Sequence, residues 1–343
     1  MNKKTKTLLG IIVVFLIIGL GMLLLWNSSK QQNLTENYKS VTEKPLKLKI
    51  GGHNTIVGVI LETAQDKGFF NEQNLDVEIK KVESSKISMA GLENGDLDIV
   101  IASASAGTFN YLAKDENLRI VADSGRFSPI IIVRKNLENS INGLEDLKNK
   151  TFATPRAGSS SQYAFAKILE TLGLSLNDID SKYLGQQEII AALETNNLEA
   201  GIITDPYATL AIDKGVGVRL AQDQISKIFP KGQQYAMLLS TTETLTNKKE
   251  ATERFFIAYQ KAAEYYQAAK DGSQPEKDEV VKIISNYTKI EPEIVNKITW
   301  INIADNLKPD IAYLETAQDW YFKNELLEQK VDLNERIDFS FLP

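Results

Sequence analysis

The chain has 343 residues, of which 43% are apolar and 24% are charged, and it contains no cysteine and a single histidine. Its length and composition are typical of a globular protein of two domains, and the lack of cysteine excludes disulfides, thiolate metal sites and a cysteine nucleophile. The formal net charge of −6 argues against nucleic acid or an anionic membrane surface as a partner, because both are recognised by clustered positive charge.

The first predicted element is an uncharged apolar run from Leu8 to Trp26. Its length is close to the roughly 20 residues that cross a bilayer as a helix, and Lys3, Lys4 and Lys6 before it place the amino terminus in the cytoplasm. We therefore predict a retained single-pass anchor in residues 1–29, with the folded body on the extracytoplasmic side of the cell membrane. The alternative is a cleaved signal peptide and a secreted body, although no small-x-small cleavage site follows the apolar run.

A polar segment, residues 30–44, follows and is predicted to be a flexible tether. From Pro45 onward, short apolar strands alternate with amphipathic helices, and Gly, Ser, Thr or Asn separates them. This alternation predicts an α/β fold in which each lobe is a mostly parallel sheet flanked by helices. We place lobe 1 at residues 45–130 plus 238–343 and lobe 2 at residues 131–237, where the pattern of elements restarts.

Part of the sequence occurs twice. LENGDLDIVIASAS, which begins at Leu92, reappears in altered form as LETNNLEAGIITDP, which begins at Leu193. In the same order, ILET at Ile60 is repeated at Ile168. Two ordered matches, each between a predicted helix and a predicted strand, indicate a duplicated α/β lobe. A cleft between two such lobes is the place where we expect function to reside.

Beyond Lys248 the sequence is mostly helical, and these helices are predicted to support the lobes. An aromatic stripe recurs at helical spacing along the first of them, which indicates buried core rather than ligand contact. Its members are Phe255, Phe256, Tyr259, Tyr265 and Tyr266.

Four polar loops are predicted at the carboxyl ends of strands, where ligands bind in open parallel α/β sheets. They lie at residues 51–55, 102–107, 154–163 and 204–208 and are rich in Gly, Ser, Thr and Asn. A helix that begins in such a loop presents unpaired N–H groups and a partial positive charge, which attract anions or other oxygen ligands. The candidate ligand-binding residues are His53, Asn54, Ser103, Ser105, Arg156, Ser159, Ser160, Ser161, Thr204 and Asp205.

Each candidate also has a plain structural interpretation. A Ser or Thr in these loops can be an N-cap that stabilises its own helix by about 1 kcal/mol. His53 can hydrogen-bond a ligand in either protonation state, or it can lie free on the surface. Arg156 can clamp a planar oxyanion with two hydrogen bonds or remain an exposed charge. Asp205 either caps the helix in which Pro206 begins the first turn, or accepts a hydrogen bond from a ligand N–H and repels a purely anionic ligand.

The chain from about Leu46 onward resembles the extracytoplasmic substrate-binding proteins of ABC importers, and most of all the group for nitrate, sulfonates, taurine and thiamine precursors. The segments that carry the resemblance are DKGFFNEQNLDVEI (66–79), MAGLENGDLDIVIAS (89–103), NLRIVADSG (117–125), LEDLKNKTFATPRAGSSSQY (144–163) and LEAGIITDPYATLA (198–211). The resemblance implies a two-lobed periplasmic-binding-protein-like fold of type II, with two crossover strands and closure on the ligand by hinge motion. It also implies two partners, an ABC permease and its ATPase.

Two departures from the family pattern are visible: relatives often have Glu before Pro where this chain has Asp205, and many carry a lipid-bearing cysteine that this chain lacks. We predict a solute-binding receptor, a monomer without cofactor or metal, which captures a small oxyanion-bearing molecule and delivers it to the permease. The alternatives are a neutral or cationic heterocycle, such as a thiamine pyrimidine precursor, as the ligand, and a membrane-tethered ligand sensor as the role. An enzyme like the thiamine-pyrimidine synthases is disfavoured, because those enzymes use a cysteine-rich iron motif and histidines.

Overall fold

The structure is a computed structural model, and it describes residues 44–53, 55–82 and 85–343. The predicted anchor, nearly all of the predicted tether and the candidate Asn54 lie outside the described residues. Residues Lys47–Pro343 form one unit. Within the described ranges, no helix is both long and apolar enough to cross a membrane.

Strands and helices alternate through most of the described chain, as the sequence predicts. The strands are β1 (Leu46–Gly52), β2 (Leu75–Lys81), β3 (Ile99–Ser103), β4 (Leu118–Phe127), β5 (Ile130–Arg134), β6 (Thr151–Thr154), β7 (Asp180–Tyr183), β8 (Ala200–Ile203), β9 (Gly217–Arg219) and β10 (Gln233–Thr241). The helices are α1 (Val59–Asp66), α2 (Phe69–Glu72), α3 (Ser85–Glu93), α4 (Ala106–Lys114), α5 (Ser160–Glu170), α6 (Gln186–Glu194), α7 (Tyr207–Asp213), α8 (Gln222–Ile228), α9 (Thr242–Asn247), α10 (Lys249–Lys270), α11 (Glu276–Thr288), α12 (Pro292–Val295) and α13 (Ile311–Lys323).

Two five-stranded sheets organise this part of the chain. The first sheet has the strand order β2-β1-β3-β10-β4, and the second sheet has the order β7-β6-β8-β5-β9. Both orders follow one scheme. Four strands of each sheet come from one half of the chain, β1–β4 or β6–β9, and one strand from elsewhere, β10 or β5, is inserted between the third and the fourth of them. This common scheme agrees with the duplication that the sequence repeat indicates.

The inserted strands make both sheets mixed. β10 runs antiparallel to β3 and β4, and β5 runs antiparallel to β8 and β9. By contrast, β1 pairs with β3 in parallel, and β6 pairs in parallel with β7 and β8. The α/β architecture of two sheets flanked by helices is confirmed. The expectation of mostly parallel sheets is corrected, because each sheet contains one strand that enters from the other half of the chain and runs against the direction of its neighbours. β5 enters two residues after β4, and β10 enters after α8.

Apolar runs fill the centre of each sheet. Ile99 and Val100 of β3 are fully buried, as expected for a strand that is covered on both faces by helices. In the second sheet, Phe152 of β6 stacks on Phe165 of α5, with the ring centroids 3.7 Å apart. This stacking fixes α5 beside β6 and so determines where the loop between them projects.

The aromatic stripe of α10 is largely core, as predicted. Phe255, Phe256, Tyr259 and Tyr266 are fully buried. Tyr265 is only half-buried, and its hydroxyl donates a hydrogen bond to the Glu279 carboxylate. The stripe therefore anchors α10 to the unit.

Helix α13 links the two sheets. Tyr163 of α5 packs against Tyr313, Trp320 and Tyr321 of α13, with ring centroids 5.4, 5.6 and 5.8 Å apart. The Tyr321 hydroxyl donates to the Ala104 carbonyl, which follows β3, at 3.0 Å. α13 therefore holds the residues that follow β3 close to the helix that follows β6.

Candidate functional site

Two loops from different sheets meet beside α13. The β3 loop (residues 104–105) leads from β3 into α4, and the β6 loop (residues 155–159) leads from β6 into α5. The Ala106 N–H at the start of α4 donates to the Gly158 carbonyl at 2.9 Å. Gly158 has a φ of +69°, and a Cβ at this position would lie 2.9 Å from the Ala106 Cβ. Glycine permits this close approach, because any other residue would be strained in φ and would also clash.

A cavity of about 290 Å³ lies between these loops and helix α3. It brings together Ser105 and Arg156, two predicted candidates from different sheets. Three of its residues are apolar or aromatic, which gives the cavity a wall suited to a carbon tail. The lining residues are Lys86, Met89, Ser105, Gly107, Thr108, Tyr111, Arg156, Ala157 and Gly158.

The start of α4 carries unpaired backbone donors in the lining of this cavity. The side chain of the N-cap residue Ser105 accepts no hydrogen bond from a backbone N–H of the helix. In the described part of the chain, the N–H groups of Gly107 and Thr108 have no hydrogen-bond partner. Unpaired amides at the start of a helix carry the positive end of the helix dipole, so this end of α4 favours an anion.

Two cations add to this positive potential. Lys86 of α3 and Arg156 of the β6 loop both line the cavity and are exposed. Neither side chain forms an ion pair with a residue that the structure describes. None of the lining residues is Asp or Glu. An anion in the cavity would therefore gain charge-assisted hydrogen bonds without meeting a carboxylate.

His53 follows β1 directly and is half-buried. Its Nε2 lies 3.1 Å from the Ile101 carbonyl, and because a carbonyl only accepts hydrogen bonds, Nε2 carries the proton. Burial lowers the pKa of His53 below its usual 6.5, the hydrogen bond to Ile101 partly offsets this, and the charge of Arg156 lowers the pKa further. The ring is therefore neutral at pH 7, and its Nδ1 is an acceptor. The effect of Arg156 on the pKa of His53 means that His53 and the cavity share the electrostatic potential of that cation.

A chain of hydroxyls extends from the end of β3 into α4. Ser103 Oγ donates to Ser105 Oγ at 3.3 Å, and Ser105 Oγ lies 3.4 Å from Thr108 Oγ1. Both distances are long for hydrogen bonds between hydroxyls. An anionic oxygen would be a stronger acceptor than a hydroxyl, so the hydroxyls of Ser105 and Thr108 can donate to a ligand.

The three serines at the start of α5 differ in their contacts. Ser159 is the N-cap, and its Oγ accepts from the Gln162 N–H at 3.1 Å, which is the capping interpretation. Ser160 and Ser161 are buried, and their hydroxyls form no hydrogen bond with any residue that the structure describes. The hydroxyl of Thr154, the last residue of β6, is a buried atom without a partner. A buried unpaired hydroxyl costs free energy, so this end of β6 retains capacity for a polar ligand or water.

Asp205, after β8, contacts its own helix and a distant segment. Its Oδ1 accepts from the Thr209 N–H at 3.0 Å and from the Thr209 hydroxyl at 2.7 Å. Its Oδ2 accepts from Arg219 Nη2 at 3.2 Å and from the Thr299 N–H at 2.7 Å. These contacts correspond to the capping interpretation, because both carboxylate oxygens are already occupied by protein donors.

Thr204 is likewise engaged inside its own half. Its N–H and its hydroxyl both donate to Gln186 Oε1, at 2.7 and 2.8 Å. Neither Thr204 nor Asp205 lines the cavity. The structure thus joins the loops after β3 and β6 around one cavity, and it does not bring the loop after β8 to that cavity.

Sequence reasoning missed several cavity residues. Lys86 lies on α3, away from any strand-end loop, and only the packing of α3 against α4 brings it to the cavity. Gly107 and Thr108 were recoverable, because the first turn of a helix always leaves backbone donors free. Thr154, which does not line the cavity, was recoverable as well, because it ends β6 as Ser103 ends β3.

A larger cavity, of about 410 Å³, lies at the amino-terminal edge of β3. Its lining includes Glu93, Asp98, Asp115, Glu243 and Lys248. The only cation in that lining, Lys248, already pairs with Asp98 at 2.8 Å. This excess of carboxylates makes the larger cavity a poor place for an anion.

Comparison with known proteins gives one consistent family. The family model described as NMT1/THI5 like matches residues 56–273. The aliphatic sulfonates-binding protein of Escherichia coli (strain K12) is 23% identical over 247 residues, which cover 71% of this chain and 70% of that protein.

Solved structures agree. The periplasmic aliphatic sulphonate binding protein SsuA from Escherichia coli matches with a TM-score of 0.69 at 18% identity, over 86% of this chain and 92% of that chain. The periplasmic nitrate-binding protein NrtA from Synechocystis PCC 6803 matches with a TM-score of 0.68 at 14% identity, over 87% of each chain. These likenesses confirm the periplasmic-binding-protein fold and the resemblance that the sequence indicates.

Proposed function

Because the chain belongs to the NMT1/THI5-like family, we propose that it is an extracytoplasmic solute-binding protein of an ABC import system. Its ligand is a small organic anion with a sulfonate-like head, held in the cavity between α3, α4 and the β6 loop. One observation supports this ligand class above all: among the residues that the structure describes, the cations Lys86 and Arg156 have no ion-pair partner, and they line the same cavity as the unpaired amides of Gly107 and Thr108.

The strength of these contacts fits a transported solute. A hydrogen bond to a charged group contributes about 1.5–3 kcal/mol. Four of them amount to about 6–12 kcal/mol before the free energy lost in immobilising the ligand is subtracted. A dissociation constant near 1 μM corresponds to about −8 kcal/mol, so these contacts reach micromolar affinity only together with the burial of a carbon tail.

The size of the cavity favours an organic anion over a small inorganic one. Its volume of about 290 Å³ equals roughly ten water molecules, at about 30 Å³ each. Nitrate or bicarbonate, with four heavy atoms each, would leave most of this space filled with water. A short alkyl tail would instead contact Met89, Tyr111 and Ala157.

The named ligands of relatives agree with this class. One relative binds aliphatic sulfonates by its name, and another binds nitrate. Both are oxyanions, and a sulfonate combines the oxyanion head with a carbon tail. We also propose delivery of the ligand to an ABC permease with its ATPase, from a body held outside the cell by the predicted anchor in residues 1–29.

A neutral heterocycle with an N–H group is the second candidate ligand. The observation that favours it is the neutral ring of His53, whose Nδ1 can accept such a hydrogen bond. A cationic heterocycle is disfavoured by the two unpaired cations. We propose no catalytic step, because the chain has no cysteine and its single histidine is bonded to a main-chain carbonyl.

Isothermal titration calorimetry on the intact chain tests the ligand class. The panel is ethanesulfonate, taurine, nitrate, bicarbonate and an aminopyrimidine. We expect ethanesulfonate to bind at least tenfold more tightly than nitrate, because nitrate cannot fill the cavity. Tightest binding of the aminopyrimidine would transfer the proposal to the second candidate, and no heat with any compound would overturn both.

Reconstitution of the chain with an ABC permease and ATPase from the same organism tests the role. A solute receptor should increase ATP hydrolysis by the transporter when ethanesulfonate is present. The sensor alternative predicts ligand binding with no effect on the ATPase.

A further inference from the structure

Gln162 organises the β6 loop from the first turn of α5. Its N–H donates to Ser159 Oγ at 3.1 Å, and its Oε1 accepts from the Gly158 N–H at 2.7 Å. Ser159 and Gln162 thus form a variant of the capping box, in which the third helical residue reaches back to the loop before the N-cap. The side chain is only 5% exposed, so water cannot easily replace these bonds.

The amide orientation of Gln162 is fixed at its other end. Its Nε2 donates to the Tyr183 hydroxyl at 3.0 Å, and Tyr183 is the last residue of β7. With the amide nitrogen engaged by this hydroxyl, the amide oxygen faces the Gly158 N–H. Strand β7 of the second sheet therefore contributes, through Tyr183 and Gln162, to the position of Gly158.

Gly158 is held on both sides. Gln162 binds its N–H, while its carbonyl accepts from the Ala106 N–H of the other half at 2.9 Å. A Cβ at Gly158 would approach the Ala106 Cβ to 2.9 Å, so the two backbones are already as close as they can come. This hydrogen bond closes the cavity on the side of the β6 loop.

We propose that Gln162 is a positioning residue that sets how long a captured solute stays bound. It holds Gly158 where the carbonyl meets Ala106, and it thereby stabilises the closed arrangement of the β3 and β6 loops around the cavity. The inference rests on the proposed function, because it assigns a role in retaining the solute of that same cavity.

The physical consequence is a change in release rather than capture. A solute enters when the loops are apart, at which point the Ala106–Gly158 bond does not exist and Gln162 makes no difference. The solute leaves when the hydrogen bond between Ala106 and Gly158 breaks. Removing the support of Gln162 should therefore raise koff and leave kon nearly unchanged, which is the usual way in which affinity is tuned.

Stopped-flow measurements with ethanesulfonate on the intact chain test whether the koff rises while the kon stays the same. Tryptophan fluorescence is a suitable signal, because Trp320 lies 5.6 Å from the ring of Tyr163, beside the two loops. We expect Gln162→Met, which keeps the length of the side chain, to raise koff about five- to tenfold with kon within twofold. The matched control is Gln187→Met on the exposed start of α6, which should change neither rate. An unchanged koff, or an equal loss in kon, would overturn the proposal.

A measurement without ligand keeps the proposal testable if ethanesulfonate does not bind. The chain has no cysteine, so spin labels can be placed through Asp96→Cys and Asn177→Cys, two exposed positions in different halves. We expect Gln162→Met to reduce the short-distance population relative to the wild type. Identical distance distributions in the two proteins would overturn the proposal, whatever the fate of the proposed ligand class.

A compensating pair of variants addresses the contact itself. Gly158→Ala should reduce the short-distance population, because its Cβ would meet the Ala106 Cβ. Adding Ala106→Gly removes that clash and should restore part of the population. A distribution in Gly158→Ala equal to that of the wild type would show that the two loops do not meet in solution.

Discussion

Helices α4 and α7 occupy equivalent places in the two halves, because each follows the third strand of its half, β3 or β8. Each carries a threonine as its third residue, Thr108 in α4 and Thr209 in α7. The Thr209 N–H is bonded by the carboxylate of Asp205, whereas the Thr108 N–H has no partner in the described part of the chain. We call the start of α7 closed, because its own loop supplies an acceptor for the Thr209 N–H. We call the start of α4 open, because the Thr108 N–H has no such acceptor in its loop and lies in a residue that lines the cavity.

The difference shows what turns a polar loop into a site. Both loops have the Ser, Thr or Asp residues that are common at helix starts. The Asp205 carboxylate accepts from the Thr209 N–H of α7, while the Ser105 side chain accepts from no backbone N–H of α4. A polar loop at the end of a strand is therefore not by itself a ligand site. The loop must also leave N–H groups at the start of the next helix unpaired.

The largest expected effect comes from removing the carboxylate that closes α7. Asp205→Ala deletes the acceptor for Thr209, Arg219 and Thr299, and Asp205 is only 4% exposed. We expect the free energy of unfolding to fall by about 2–4 kcal/mol, since buried donors lose their partner. Urea unfolding of the ligand-free protein measures it.

Asp213→Ala is the matched control on the same helix. Asp213 pairs with Lys297 at the exposed surface, and such a pair contributes at most about 1 kcal/mol. If Asp205→Ala weakened ethanesulfonate binding more than threefold while stability stayed unchanged, the assignment of Asp205 to structure would be wrong.

The next largest effect concerns the open helix start. Arg156→Met removes one of the two unpaired cations of the cavity, and we expect the Kd for ethanesulfonate to rise about ten- to a hundredfold, which corresponds to the loss of a charge-assisted hydrogen bond. Calorimetry measures it. Lys214→Met makes the same charge change at an exposed site of the second half and should leave the Kd within twofold. Equal effects of the two variants would indicate general electrostatics and not a bound anion.

A smaller pair of effects compares the two threonines directly. Thr108→Val removes a hydroxyl in the lining of the cavity, so we expect the Kd for ethanesulfonate to rise about three- to tenfold with little change in stability. Thr209→Val removes the donor to Asp205, so we expect a loss of about 1–2 kcal/mol in the free energy of unfolding with an unchanged Kd. If the effects were exchanged, the open and closed helix starts would have been assigned the wrong way round.

Much of the fold follows from local pattern. The alternation of elements and the repeat of LENGDLDIVIASAS predict two α/β halves, because periodicity and burial are set by neighbouring residues. The mixed character of the sheets cannot be predicted from that pattern, because β10 pairs with β3 and β4 although all strands of the second sheet lie between them in the chain. Such a pairing between distant segments leaves no trace in the local pattern.

The site divides in the same way. Ser105 and Arg156 were predicted because they lie in strand-end loops, which the sequence shows directly. Lys86 escaped prediction because its distance from the cavity depends on how α3 packs on α4. For Asp205 the sequence left capping and ligand contact as alternatives, because its partners Arg219 and Thr299 lie far from it along the chain.

The smallest expected effect is a pH dependence at His53, and it tests whether this residue shares the field of the open helix start. Burial, and to a lesser extent Arg156, lower the pKa of His53 from its usual 6.5, against the opposing effect of the Ile101 bond. The unfolded chain therefore binds a proton more readily than the folded one. The stability that depends on the neutral ring is complete above pH 6.5 and is lost as the pH falls towards the lower pKa of the folded state, with a slope of at most about 1.4 kcal/mol per pH unit for one proton. His53→Gln should remove this part of the slope in urea unfolding between pH 7 and pH 5.

Saturating ethanesulfonate should make the wild-type slope shallower, because a bound anion offsets the charge of Arg156 and favours the protonated ring. A slope that ethanesulfonate does not change would place His53 outside the reach of the ligand.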